Sequence, residues 1–183
     1  MSITWTTRAE TGADPAAIDA VNFHAFGRRY EPDLVIRLRA DATAWLPALS
    51  YVATQDTPGA FSGVGLAAGG PDDEVVAHAL LSRCHIDDTP ALVLGPVAVL
   101  PAYQRAGAGS ATIRAALGAA RSAGEHAVVL LGHPEYYPRF GFRESTAFGI
   151  HGEHDGPAQM ALALNPDRPL PRGTIHYPSA WDA

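Results

Sequence analysis

Apolar and polar positions along the chain follow two rhythms. Ile18, Val21, Asn22 and Ala25 recur at helical spacing behind Asp14-Pro15, which suits an N-cap and first helical residue. This predicts a first helix to about Arg28. After a break at Tyr30-Glu31-Pro32, Leu34, Val35 and Leu38 share one face of a second helix. Ile3–Arg8 and Leu49–Thr54 read as the first two strands, and Val75–Ile86 as a third carrying His78, Cys84 and His85. Between them, 55–73 is rich in Gly, Pro and Asp and reads as a loop or hairpin extension.

Asp87-Asp88-Thr89-Pro90 reads as a turn into Leu92–Leu100, an almost continuous apolar run that suits a central strand covered on both faces. Pro96 interrupts it and predicts a bulge, because proline cannot donate to the ladder. A third helix follows, with Ile113, Ala116, Leu117 and Ala120 inward, Arg114 and Arg121 outward and Gly124 at its end. Val128–Leu131 reads as a fifth strand, and Pro134 as the opening of a short helix ending near Gly141. Phe142–Ile150 and Met160–Leu164 read as two late strands. The proline-rich stretch from Arg168 to Ala183 reads as an extended tail whose Tyr177 and Trp181 dock on the body or on a partner subunit. No repeat or boundary divides the chain, so one domain is expected, with a core over 14–165 and an extended tail over 166–183.

The most informative stretch joins the fourth strand to the third helix through Gln104-Arg105-Ala106-Gly107-Ala108-Gly109. The first turn of a helix exposes N–H groups without intrahelical acceptors and carries the positive end of the helix dipole. Gly107 and Gly109 let a phosphate approach the backbone, and Arg105 adds a full charge, so the stretch is suited to an anion. Ser110-Ala111 follows Gly109 and no Lys is present, so it is not a P-loop. Thr112 stands where a dinucleotide fingerprint needs its third small residue.

The segment resembles motif A of the GNAT N-acetyltransferase superfamily, Q/R-x-x-G-x-G/A, preceded by the strand Gly95-Pro96-Val97-Ala98-Val99. Downstream, Val128-Val129-Leu130-Leu131 and Tyr137-Pro138-Arg139-Phe140-Gly141-Phe142 resemble that family's fifth strand and its Y-x-x-F-G-F element, in the family's order and spacing. The resemblance implies an α/β (α+β) fold: a mixed, mostly antiparallel central sheet of about six or seven strands flanked by about four helices, with strands four and five splayed. It implies acetyl-CoA as co-substrate and no metal. Main-chain groups of Val97, Ala98 and Val99 would hold the pantetheine arm. The turn of Gln104, Arg105, Ala106, Gly107, Ala108, Gly109 and Ser110 would hold the pyrophosphate.

Two groups are expected to act in catalysis. A backbone N–H of the bulged strand, Val99, would polarise the thioester carbonyl. Tyr137 would protonate the departing thiolate, with Tyr136 the weaker candidate because it points elsewhere on a helix. In the family the first two helices wall the acceptor site, which makes Phe23, Phe26, Tyr30 and Glu31 candidate substrate contacts. The competing reading buries the aromatics in the core and leaves Glu31 a solvated surface charge. Some members carry a base on the fourth strand, but Ala91–Leu94 is wholly apolar here. Water, Glu31, His133 or Glu135 remain for that role. The expected reaction is direct transfer of acetyl from acetyl-CoA to a primary amine of a small molecule or protein. The competing readings are a catalytically silent acyl-CoA-binding module and a nucleotide-dependent phosphotransferase, the latter disfavoured by the missing lysine.

Composition narrows the field. The 183 residues suit one domain, and 47% hydrophobic with 17% charged residues supports a sizeable core. A net charge of −6, with 13 Lys and Arg and no basic run, argues against nucleic acid as partner. No apolar run reaches membrane-spanning length, the N-terminus lacks the pattern of a secretory leader, and Cys84 is the lone cysteine. A cytoplasmic location and no membrane partner are therefore expected. Dimerisation is common in the family, and a homodimer is one arrangement the resemblance allows. His151-Gly152-Glu153-His154-Asp155 lacks helical H-E-x-x-H spacing and reads as a turn rather than a metal site.

Overall fold

The structure is a computed structural model that describes residues 5–55 and 74–182. Most of the stretch read as a loop or hairpin extension, 56–73, lies outside the described residues, as does Ile3. The chain divides between two compact units. One is drawn from Met1–Ile36, Pro47–Leu80 and Pro96–Ala116, the other from Arg37–Leu46, Leu81–Gly95 and Leu117–Ala183.

In the first unit, β1 (Thr6–Ala9) pairs antiparallel with β2 (Ser50–Gln55), from Thr6↔Thr54 to Ala9↔Tyr51. The other edge of β2 pairs antiparallel with the first part of β3 (Glu74–Ile86), from Ser50↔Leu80 to Gln55↔Glu74. The helix α1 (Pro15–Phe26) starts with Pro15 in its first turn, as expected, and buries Ile18, Val21 and Asn22. Asp14 makes no side-chain cap. Its carboxylate instead accepts two hydrogen bonds from Arg8, at 2.7 and 2.9 Å, and two from the N–H and hydroxyl of Thr11. An ion pair has displaced the predicted cap. Gly27, at φ 67°, ends the helix by donating to Phe23 O, so α1 stops two residues short of Arg28 and α2 (Tyr30–Ala40) begins at the predicted break.

His78 is a satisfied core group. It is fully buried, with Nδ1 3.1 Å from Asn22 Nδ2 and Nε2 3.0 Å from Ser50 Oγ. The amide can only donate, so Nδ1 accepts, the ring is neutral, and Nε2–H donates to Ser50. Ser50 in turn donates to Glu10.

In the second unit, β4 (Thr89–Val99) and β5 (Ala127–Leu131) run parallel over Leu92↔Val128 and Val93↔Val129. The ladder ends there, although β5 continues to Leu131 and β4 runs past Leu94. β5 also pairs antiparallel with β8 (Gln159–Ala163) along its whole length, and β8 pairs with β6 (Arg143–Glu144). The strand order is β1-β2-β3-β4-β5-β8-β6, mostly antiparallel, with β3 and β4 passing through both units. The expected fold class is the observed one, with differences in count. Among the described residues there are nine strands, three α-helices and five 3-10 turns. The expected fourth helix, opening at Pro134, is a turn followed by a 3-10 turn over Tyr137–Phe140. Pro138 cannot donate a hydrogen bond there, and Gly141 at φ 96° closes the segment after four residues.

The late region departs further. Phe142–Ile150 is no strand: it holds β6, a 3-10 turn over Ser145–Phe148 and the start of β7 (Ile150–His151). The tail contains β9 (Gly173–His176), which pairs with β3 through His85↔His176 and Ile86↔Ile175 and with β7 through Ile150↔Gly173. Tyr177 and Trp181 pack on the cluster of Cys84, Ile86, Val93 and Ile175. Trp181 lies so close to β4 that a Cβ on Gly95 would sit 2.9 Å from its ring. The run His151–Asp155 closes on itself, with His151 Nδ1 2.8 Å from Asp155 Oδ2 and the Gly152 N–H donating to Oδ1.

Candidate active site

The site begins where β4 ends. Val97 and Val99 are half-buried and Ala98 between them is buried, the alternation of a strand with one open face. Leu100 N–H then donates to Val76 O, and Pro101–Tyr103 forms a 3-10 turn that carries the chain away. The Gln104 side-chain amide turns back and donates to Val99 O at 3.1 Å. Gln104 thus braces the strand end.

Gln104, Arg105, Ala106 and Gly107 are exposed, and α3 (Ala108–Ser122) starts immediately after them. Gly107 O accepts from Ala111 N–H at 2.9 Å, which makes Gly107 the residue that opens the helix. Thr112, buried, donates its hydroxyl to Ala108 O. The amides of Ala108 and Gly109 fall in the first turn, where helix geometry provides no intrahelical acceptor, and Ser110 completes that turn half-buried. The helix dipole adds partial positive charge at the same point.

The residues with positive φ are Arg105 (62°) and Gly107 (95°), whereas Gly109 is helical. A left-handed non-glycine residue costs roughly 1–2 kcal/mol. That Arg105 adopts it shows the turn is held by its surroundings. One contact to this turn is missed by sequence reasoning: Trp5 Nε1–H donates to Ala106 O at 2.9 Å. No local pattern could reveal a bond between residues 101 apart.

The helices of the first unit carry the candidate acceptor residues. Phe26 and Tyr30 are 40% and 37% exposed, and Phe23 is similarly open, so none is a core aromatic. Glu31 is the reverse, only 6% exposed, and therefore not a solvated charge. Its carboxylate accepts from Arg28 Nε at 3.0 and 3.1 Å and from a terminal guanidinium nitrogen as well. The Arg28 guanidinium also lies 5.7 Å from the centroid of the Tyr30 ring. Tyr30, Arg28 and Glu31 therefore form one cluster. His133 and Glu135, the other side chains considered for a base, are exposed.

Tyr137 belongs to the second unit, at the start of its 3-10 turn. Tyr136 meets it edge-on at 5.1 Å and Phe142 at 6.0 Å, with Phe140 tilted at 6.3 Å. Burial, with a smaller contribution from Tyr136, pushes the phenol up to about 12. Tyr136 is drawn elsewhere: Arg139 stacks 4.3 Å over its ring and donates to its carbonyl. Gly132, which follows β5, faces the Tyr137 ring so closely that a Cβ would overlap it. An isolated glycine at a strand end marks such an approach, and the sequence offered that cue.

Among the described residues, no three His, Cys, Asp or Glu side chains converge as a metal site, and no helix is long and apolar enough to cross a membrane.

Comparison with known proteins gives a consistent result. The profile of the acetyltransferase (GNAT) family matches residues 30–142. The uncharacterized N-acetyltransferase YjhQ of Escherichia coli strain K12 is 35% identical over 134 residues, which is 71% of this chain and 65% of that protein. The chain thus spans about two thirds of that relative's length. A GNAT family acetyltransferase from Brucella melitensis, solved with acetyl-CoA, shares 31% identity at a TM-score of 0.74 over 98% of this chain and 99% of its own. The N-acetyltransferase YhbS from Escherichia coli, solved with CoA, superposes at 0.83 over 100% of this chain and 94% of its own with 23% identity, a likeness of fold.

Proposed function

The chain belongs to the acetyltransferase (GNAT) family, and from that premise we propose that it moves an acetyl group from acetyl-CoA directly to a primary amine. The start of α3 carries this reading. It joins an exposed cation, a glycine at φ 95° and helix-opening amides in one turn. That combination suits a diphosphate. The relatives solved with CoA and acetyl-CoA support the same reading.

In the proposal, main-chain groups of Val97, Ala98 and Val99 hold the pantetheine arm like an added strand. The main chain from Gln104 to Ser110 and the charge of Arg105 hold the diphosphate. The Gln104 side chain, bonded to Val99 O, keeps the strand end in place. The thioester supplies an activated acyl group. The Val99 N–H is the donor assigned to its carbonyl oxygen, a role worth on the order of 3 kcal/mol.

Tyr137 is the assigned proton donor to the departing sulfur. Held up to about 12, it stays protonated at neutral and mildly alkaline pH. Phe26, Tyr30 and the Arg28–Glu31 pair are assigned to the acceptor. Because Arg28 engages Glu31, an amine of low pKa that needs no strong base suits the site best. The acceptor is a small-molecule or protein amine. The net charge of −6 supports the exclusion of nucleic acid, and the free, buried Cys84 supports a cytoplasmic setting.

The test is thiol release from acetyl-CoA with a panel of primary amines. The proposal expects amine-dependent release and an acetylated amine. Saturable CoA binding without release from any amine would turn the reading to a silent CoA-binding module. Stabilisation by ATP and magnesium but not by acetyl-CoA would turn it to a phosphotransferase.

A further inference from the structure

The turn that opens α3 is held by a residue from the other end of the first unit. Trp5 lies just before β1, and its indole N–H donates to Ala106 O at 2.9 Å. Ala106 sits between the two left-handed residues, Arg105 at φ 62° and Gly107 at φ 95°. In a trans peptide the carbonyl of one residue and the N–H of the next point in opposite directions. Fixing Ala106 O on the indole therefore turns the Gly107 N–H away from it.

The indole is itself anchored. It packs with Val99, Leu100 and Tyr103 against Val76 and Ala108. The Tyr103 ring meets it edge-on, with centroids 5.9 Å apart and planes at 88°, and the Tyr103 hydroxyl donates to Glu74 Oε2 at 2.7 Å. A chain of contacts thus runs from Glu74 through Tyr103 and Trp5 to one peptide plane of the turn. Left-handed backbone at a residue with a β-carbon persists only where its surroundings over-determine it, and this chain supplies the constraint.

We propose that Trp5 is a positioning residue for the diphosphate of the acyl donor, and that its hydrogen bond to Ala106 O sets the direction of the Gly107 amide in the anion site. This rests on the reading of the α3 start as the donor site. Trp5 touches no part of the donor; it acts through the turn. Losing the indole N–H should cost the diphosphate end of the ligand and spare the pantetheine end.

The test compares two ligands on the full chain. CoA and pantetheine, which has no phosphate, are titrated calorimetrically into wild type, Trp5→Phe and Tyr103→Phe, with pantetheine measured by displacement. Trp5→Phe keeps an aromatic ring and removes the donor; Tyr103→Phe keeps its ring and removes only the tether to Glu74. The inference expects CoA to bind Trp5→Phe about tenfold more weakly, with pantetheine within twofold of wild type. It expects a CoA loss of about threefold for Tyr103→Phe. Equal CoA affinity in wild type and Trp5→Phe would overturn it, as would equal losses for both ligands, since a merely structural role moves both. If Trp5→Phe does not fold, the Tyr103→Phe ratio of CoA to pantetheine decides by the same criterion. Wild type that binds no CoA would overturn the donor-site reading and this inference with it.

Discussion

The Cδ2–Cε2 edge of the Tyr137 ring lies against Gly132: a Cβ at Gly132 would overlap Tyr137 Cε2 and sit 2.9 Å from Cδ2. The phenol is thus set by the absence of a side chain five residues earlier. Gly132→Ala forces the ring aside while the turn proposed to bind the donor, in the other unit, keeps its sequence. The expected outcome is a fall in kcat on the order of tenfold with CoA affinity within twofold, read by steady-state kinetics and calorimetry. Unchanged kcat would show that the position of Tyr137 is immaterial to turnover.

Tyr137→Phe removes the proposed proton donor and keeps the ring. Turnover should fall roughly a hundredfold or more at unchanged CoA affinity. The pH profile offers a second check. Burial holds the phenol up to about 12, so the wild-type rate should show no loss from its ionisation between pH 7 and 10. A descending limb near pH 10 that disappears in Tyr137→Phe would contradict the burial that raises it.

The ion pair that replaced the helix cap predicts a pH dependence of stability. Hydrogen bonding to Arg8 holds the Asp14 carboxyl down to about 2, against 3.8 unfolded. Between these values the unfolded chain binds more protons, so stability falls as pH falls. The contribution is complete above about pH 4 and is lost as pH drops through 2. It is on the order of 2 kcal/mol, or about 5 °C in Tm for a chain of this size. Asp14→Asn should lower Tm by that amount at pH 7, and the gap to wild type should narrow below pH 4. A gap independent of pH would remove the ion pair from the account.

Much of this was legible in the sequence, and the remainder has physical reasons. The three helices and the strands β3, β4 and β5 follow from periodicities several turns or pleats long. Ile113, Ala116, Leu117 and Ala120 are all buried as their spacing required. The two-residue strands β6 and β7 are too short to carry a period, and the prolines of the tail hid the four residues of β9 that Tyr177 and Trp181 bring onto the second unit. At the site, Gly107 could be read because glycine advertises its freedom. Arg105 could not, because nothing local marks its left-handed backbone, and the bond that Trp5 makes to the neighbouring Ala106 spans 101 positions. Glu31 read as substrate contact or surface charge, and only the fold shows it buried against Arg28.

The central claim is that the opening turn of α3 grips the diphosphate of CoA, and titration of CoA into wild type, Gly107→Glu and Gly12→Glu tests it most directly. Position 107 has φ 95° and a Cβ there would sit 3.6 Å from the Trp5 indole nitrogen, so a glutamate strains the backbone, crowds the indole and adds a charge that repels the anion. Gly12 has open space around it and receives the same charge. The account predicts saturable binding to wild type and Gly12→Glu, and a loss on the order of a hundredfold or more for Gly107→Glu with its circular dichroism unchanged. Wild-type affinity in a folded Gly107→Glu protein would contradict it.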